Sequence, residues 1–140
     1  MASEYFDFII STNRFNLSER QPHFINDTCF GEDLAAWLVE QLGKEGIPAE
    51  APGQEDWGWY FSATSQDEPY FFAINGDDDG HEEMPNQGEW RISIHKTRSV
   101  MDKLMGRNFF SNDDKILYVV RRILKSQPDI KIIGTESSSS

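Results

Sequence analysis

The stretch Trp90-Arg91-Ile92-Ser93-Ile94-His95 decides the fold. Apolar and polar side chains alternate along it, so Trp90, Ile92 and Ile94 share one face of an extended segment and Arg91, Ser93 and His95 the other. A period of two with a single apolar face marks a half-buried strand of an antiparallel sheet, because parallel strands are covered on both faces and read as continuous apolar runs. Upstream, at meander spacing, Trp57 to Ser62 and Tyr70 to Asn75 read as two more strands. In the first, Trp57, Trp59 and Phe61 are expected inward and Tyr60 and Ser62 outward, with Gly58 marking a bulge or a close approach. Tyr5 to Ser11 reads as a strand with Phe6, Phe8 and Ile10 on one face, and Ile130, Ile132 and Ile133 as a short closing strand.

Two helices separate these segments. The first is expected from about Phe30 to Glu45, with Phe30, Leu34, Trp37, Leu38 and Leu42 at spacings of three and four. Asp27 or Thr28 is suited to cap it, while Lys44 and Gly46 suit its C-terminus. The second is expected from about Asn112 to Ser126, opened by Ser111 and Asp114 in the Ser-x-x-acid pattern and stopped by Pro128. Asn13 to Asn26 reads as a polar, irregular connection, and Met101 to Met105 as a short turn.

The order β-α-β-β-β-α-β, with one apolar face per strand and one apolar stripe per helix, predicts an α+β domain: a single antiparallel sheet with both helices on one face. Trp37, Trp57, Trp59, Trp90 and Leu117 are expected in its core. One domain over residues 1–136 is expected, followed by a disordered serine tail, 137–140.

Charge is divided along the chain. Residues 26–90 hold sixteen Asp and Glu against one cation, Lys44, whereas residues 91–140 hold ten Lys and Arg against five acids. The net charge of −11 disfavours direct contact with nucleic acid or anionic membranes, which need clustered cations, and favours a basic protein as partner. The lone Cys29 excludes an internal disulfide and a zinc site built on paired cysteines. Met1 to Asp7 lack the positive and apolar regions of a signal peptide, and no apolar run approaches the ~18 residues that span a bilayer, so a cytoplasmic setting is expected.

The motifs that suggest chemistry fall short of it. Asn75, Asp77, Asp79 and Gly80 fit the opening of a calcium loop, but Asn86 stands where a bidentate Glu is required. The stretch is read as a hairpin loop opened by Asn75-Gly76, and cation binding at Asp77 and Asp79 is expected to be weak, with no metal or cofactor required. His81-Glu82-Glu83 lacks the second His of a zincin, with Pro85 in its place. Cys29 reads as a buried structural thiol, since Asp27, Glu32 and Asp33 oppose thiolate formation.

Asp56-Trp57-Gly58-Trp59 after a helix, then Trp90-x-Ile92-x-Ile94, then Met105-Gly106-Arg107 and a closing helix, resemble a group of small bacterial proteins to which no activity is assigned. The resemblance covers roughly residues 28–134, implies a bacterial or phage setting, and transfers no catalytic residue.

Two function classes follow. The first is a non-enzymatic binding protein of the immunity or inhibitor type, which meets a basic protein through Glu32, Asp33, Glu40, Glu55, Asp56, Asp67, Glu68, Asp77, Asp78, Asp79, Glu82 and Glu83. The second is a small enzyme or ligand sensor using a polar patch of Tyr60, Arg91 and His95 on the outer sheet face together with the acidic loop. No nucleophile accompanies His95, so catalytic residues are not assigned.

Overall fold

The structure is a computed structural model that describes residues 5–17, 21–24, 30–78, 86–97, 100–105 and 114–137. Strands β1 (Tyr5–Thr12), β2 (Gly53–Glu55), β3 (Gly58–Ser65), β4 (Glu68–Asp78), β5 (Gly88–Lys96) and β6 (Lys131–Ser137) form one antiparallel sheet in the order β2-β3-β4-β5-β1-β6. Helix α1 (Glu32–Lys44) links β1 to β2, and α2 (Val100–Met105) and α3 (Lys115–Lys125) lie between β5 and β6. The α+β class and the helix and strand order are those expected from the alternation. The additions are the short edge strand β2 and the six-residue helix α2.

Register follows burial. Phe8, Ile92 and Ile74 stand abreast on β1, β5 and β4, and Phe6, Ile94, Phe72 and Phe61 form the adjacent row. All seven are buried. Leu34, Ala35, Leu38 and Leu42 of α1 and Ile116, Leu117, Val120, Ile123 and Leu124 of α3 close over them in the same core. At β6 the pairing shifts between Ile9 and Ile10, so Ile132 turns toward the core while the extra residue, Ile133, stands exposed.

Trp90 anchors one end of the core. It is fully buried, and its indole lies over Gly76, where a Cβ would run into the ring. Gly76 is therefore a strand residue paired with Trp90, and β4 continues through Asn75 to Asp78, where a turn opening at Asn75-Gly76 was expected. Residues 79–85, including Asp79, Glu82 and Glu83, lie outside the described residues.

Trp57 departs from its expected place. It lies in the turn between β2 and β3 and is 45% exposed, because Gly58 takes φ 156° and breaks the alternation that would have aligned Trp57 with Trp59. A Cβ at Gly58 would also meet the carbonyl oxygen of Ile74. Trp37 is half-buried at the margin of the core, packed on Phe15. The connection after β1, expected to be polar and irregular, delivers Phe15, Leu17 and Phe24 to the core, where Phe15 meets Trp90 edge-on and Phe24 meets Trp59 likewise.

Helix ends also differ from expectation. The N-cap of α1 is Gly31, without a side-chain cap, and residues 25–29, with Asp27, Thr28 and Cys29, are outside the described residues. The N-cap of α3 is Asp114, whose carboxylate makes no capping bond, and Ser111 lies outside the described residues. Ser137, expected in the tail, pairs with Phe6 as the last residue of β6, while residues 138–140 are outside the described residues.

Burial sets the expected response to truncation. Trp90→Ala should cost about 3–5 kcal/mol through lost burial and the cavity over Gly76, whereas Trp57→Ala should cost less than about 1 kcal/mol. Denaturant melts of the two variants test the contrast; equal losses would contradict the assigned positions.

Candidate functional site

The face of the sheet opposite α1 and α3 carries the side chains that alternate with those of the core. The alternate residues Tyr5, Asp7, Ile9 and Ser11 of β1, Arg91, Ser93 and His95 of β5, Phe71, Ala73 and Asn75 of β4, and Tyr60 and Ser62 of β3 belong to it by register. Aromatic rings cross it as a row. Tyr5 and His95 have centroids 5.9 Å apart, His95 and Phe71 6.3 Å, Phe71 and Tyr60 5.6 Å in a near-parallel stack, and Tyr60 and Trp57 6.5 Å. These are ordinary separations for interacting rings.

Beside the row sits a charged group. Arg91 Nη1 donates to Asp7 Oδ2 at 2.5 Å and to Glu136 Oε2 at 2.8 Å, joining β5, β1 and β6. These two hydrogen bonds push the Arg91 pKa further above its already high value. Asp7 is buried beneath it, and its Oδ1 has no partner among the described residues. Tyr60, Arg91 and His95 thus line one open face. They do not converge, since Arg91 and His95 are four residues apart on one strand, roughly 13 Å.

The acids expected to bind a partner are dispersed. Glu55 and Asp56 lie at the β2–β3 turn, Asp77 and Asp78 end β4, and Glu32 and Asp33 open α1, whose N-cap Gly31 packs against Ile74, Trp59 and Trp90 at that same end of the sheet. Asp67 and Glu68 lie at the opposite end, a full strand or roughly 25 Å away. There Gln66 and Asp67 take φ of 52° and 65°, the left-handed pair of a two-residue hairpin turn, so Asp67 has a structural role. Glu40 is exposed on α1 and pairs with Lys44 at 3.4 Å. Asp33 accepts the Asn16 and Leu34 amides at 2.8 and 2.9 Å, and Glu32 meets His23 Nε2 at 2.7 Å.

Two features were not read from the sequence. A cleft of about 440 Å³ at the start of α1 is lined by Arg14, Asn16, His23, Glu32, Asp33 and Asn86. Its residues come from segments far apart in the chain, with no shared motif to announce it. A cavity of about 650 Å³ lies between α3 and β6, bordered by Phe6, Asp114, Lys115, Tyr118, Arg121 and Thr135. Its basic residues Lys115 and Arg121 stand six apart on α3, a spacing that announces no shared face. Among the described residues no group of three His, Cys, Asp or Glu is placed to hold a metal ion, and no helix is long and apolar enough to cross a membrane.

Comparison with protein-family models, curated proteins and solved structures gives no match. The site's chemistry rests on the geometry of this chain alone.

Beside the cavity, Tyr70 is buried and donates its hydroxyl to Asp114 Oδ2 at 2.6 Å, with Lys96 Nζ 3.7 Å from the same oxygen. Burial, then the bond to Asp114, drives the Tyr70 pKa well above the ordinary tyrosine range. A raised folded-state pKa stabilises below the unfolded value and is lost as pH climbs past it. Wild-type stability should therefore fall above about pH 10, and less steeply so in Tyr70→Phe. At neutral pH that variant should lose about 1–2 kcal/mol. Chemical melts between neutral and strongly alkaline pH check both; parallel pH profiles would contradict the role assigned to Tyr70.

Proposed function

We propose that this protein acts by binding, without catalysis, a basic protein partner, in the manner of an immunity or inhibitor protein. The observation that carries the reading is the translation of the sequence's charge split into space. The acidic segment builds α1 and β2 to β4, one lateral half of the sheet; Lys44 is the one cation within these elements and is paired with Glu40, and Arg14 lies over Trp37 of α1. The segment after it supplies α3 and β6, whose Lys115, Arg121, Arg122, Lys125 and Lys131 stand exposed on the other half. A field of one sign over half a molecule attracts a partner of the opposite sign from a distance and aligns it before contact.

An enzymatic reading draws less support, because Tyr60, Arg91 and His95 share a face without converging. A cytoplasmic setting suits a chain with a single cysteine. The acidic total also speaks against nucleic acid as a direct partner, and Arg122 on α3 is paired with Glu45.

The kinetics of association test the reading. With a partner isolated by affinity capture, the association rate should fall by about 10- to 100-fold as ionic strength rises from low to well above physiological. The partner should be basic. A salt-independent rate would reduce the acidic half to a solubility feature and sink the proposal.

A further inference from the structure

We infer that the docking surface is the face of the sheet opposite α1 and α3, and that its occupant is an Arg- and Lys-bearing segment of the partner protein laid across the aromatic row Trp57, Tyr60, Phe71, His95 and Tyr5. The inference rests on the function proposed above and names the surface and the partner's chemistry.

Three observations carry it. First, the rings form a continuous line over four strands, from the β2–β3 turn to β1, on a face that neither α1 nor α3 covers. Folding does not require aromatics there, since the core is complete on the other side. Exposed aromatic patches mark interaction surfaces, and rings supply large rigid contact area at small entropic cost.

Second, the charge of the face is complementary to a cationic segment. Glu55, Glu89 and Glu136 belong to it by register, at its edges around the half-exposed rings, as does Lys131 opposite Ser11. Arg91 is its most central cation, and Asp7 and Glu136 neutralise it. Ring faces attract guanidinium and ammonium groups, Arg most of all, and nearby carboxylates receive the charge that does not stack.

Third, the dimensions suit a protein segment. Five strands at ~4.8 Å spacing and roughly 25 Å length present an area on the order of 600 Å². With its acidic edges the face approaches the ~800 Å² per partner of a standard interface. Ser62, Ala73 and Ser93, small residues in the middle strands, keep it shallow enough for a segment to lie flat.

The experiment uses the full chain and two probes, an oligo-arginine peptide and an oligo-glutamine peptide of equal length. Aromatic NMR signals of Tyr5, Tyr60, Phe71 and His95 report location, and calorimetry reports affinity. Oligo-arginine should shift the row, and Trp57→Ala combined with Phe71→Leu should weaken it by about tenfold. Melts verify that the variant folds, and Trp57→Ala alone, at an exposed turn position, supplies a second variant insensitive to folding defects. Lys125→Gln on the exposed side of α3 should leave affinity within about twofold.

Other results overturn the inference. If oligo-arginine binds but shifts only residues of α1 and its neighbouring turns, this surface is wrong while the proposed function stands. If neither peptide binds, both fall. If oligo-glutamine shifts the row equally, a cationic occupant is wrong. If the row shifts on raising protein concentration without peptide, the occupant is a second copy of this chain.

Discussion

Everything in this molecule depends on the sheet burying one face only. Phe8, Ile92 and Ile74 stand abreast toward the helices, while Asp7, Arg91 and Asn75 occupy the alternate positions of the same three strands. A slip of one residue in any pairing would carry the charged set inward and the apolar set out, with a penalty far above the marginal stability of a domain. Register is therefore specified from both sides. On the helix side, close packing of apolar side chains selects it. On the open side, Arg91 bridges Asp7 on one neighbouring strand and Glu136 on the next, a clasp available only in the native alignment. Because Asp7 is buried, the clasp also spares a carboxylate from losing water without a partner.

That constraint explains which features were legible in the sequence. Wherever side chains alternate strictly, as in Trp90 to His95 and Phe6 to Ile10, strand and inward face follow directly from the residues. Legibility ends where backbone geometry breaks the period. Gly58, with its positive φ, turns Trp57 out of line with Trp59, and a composition of two Trp gives no hint of it. Gly76 misleads in the opposite sense. Next to Asn75 it resembles a turn, but it is small because an indole from the neighbouring strand lies across it. The segment after β1 was unreadable for another reason: Phe15, Leu17 and Phe24 follow no period, and only their burial in the folded chain, with Phe15 on Trp37 and Trp90 and Phe24 on Trp59, shows that they belong to the core. The outer-face site was half legible. Alternation places Tyr60, Arg91 and His95 on one face, but the row that Tyr5, Phe71 and Trp57 complete depends on strand order, which periodicity does not encode.

Strand order also turns a linear charge pattern into a spatial one. The N-terminal strand, which carries little net charge, inserts between β5 and β6. The acidic segment is thereby confined to the sheet's β2 to β4 half, and the basic segment reaches past β1 to the opposite edge. Had β6 paired directly with β5, the two segments would have been neighbours and their fields would have cancelled over short distance. As built, Arg122 to Glu45 ties the halves where α1 and α3 approach, and Tyr70 to Asp114 joins them again from β4.

The outer face then combines two forces that act over different ranges. Carboxylates at its edges act at a distance, where ring faces exert nothing, and their influence weakens as salt rises. The rings act only in contact, through apolar area and their affinity for cations, and are far less sensitive to salt. A surface with acids alone would attract basic molecules indiscriminately, and one with rings alone would invite aggregation. On the proposed reading, acids at the edges and rings at the centre divide the work between arrival and retention. The neutralised Arg91 fits this division: left unpaired it would repel an arriving cation, but held by Asp7 and Glu136 it contributes rigidity to the face without opposing the field.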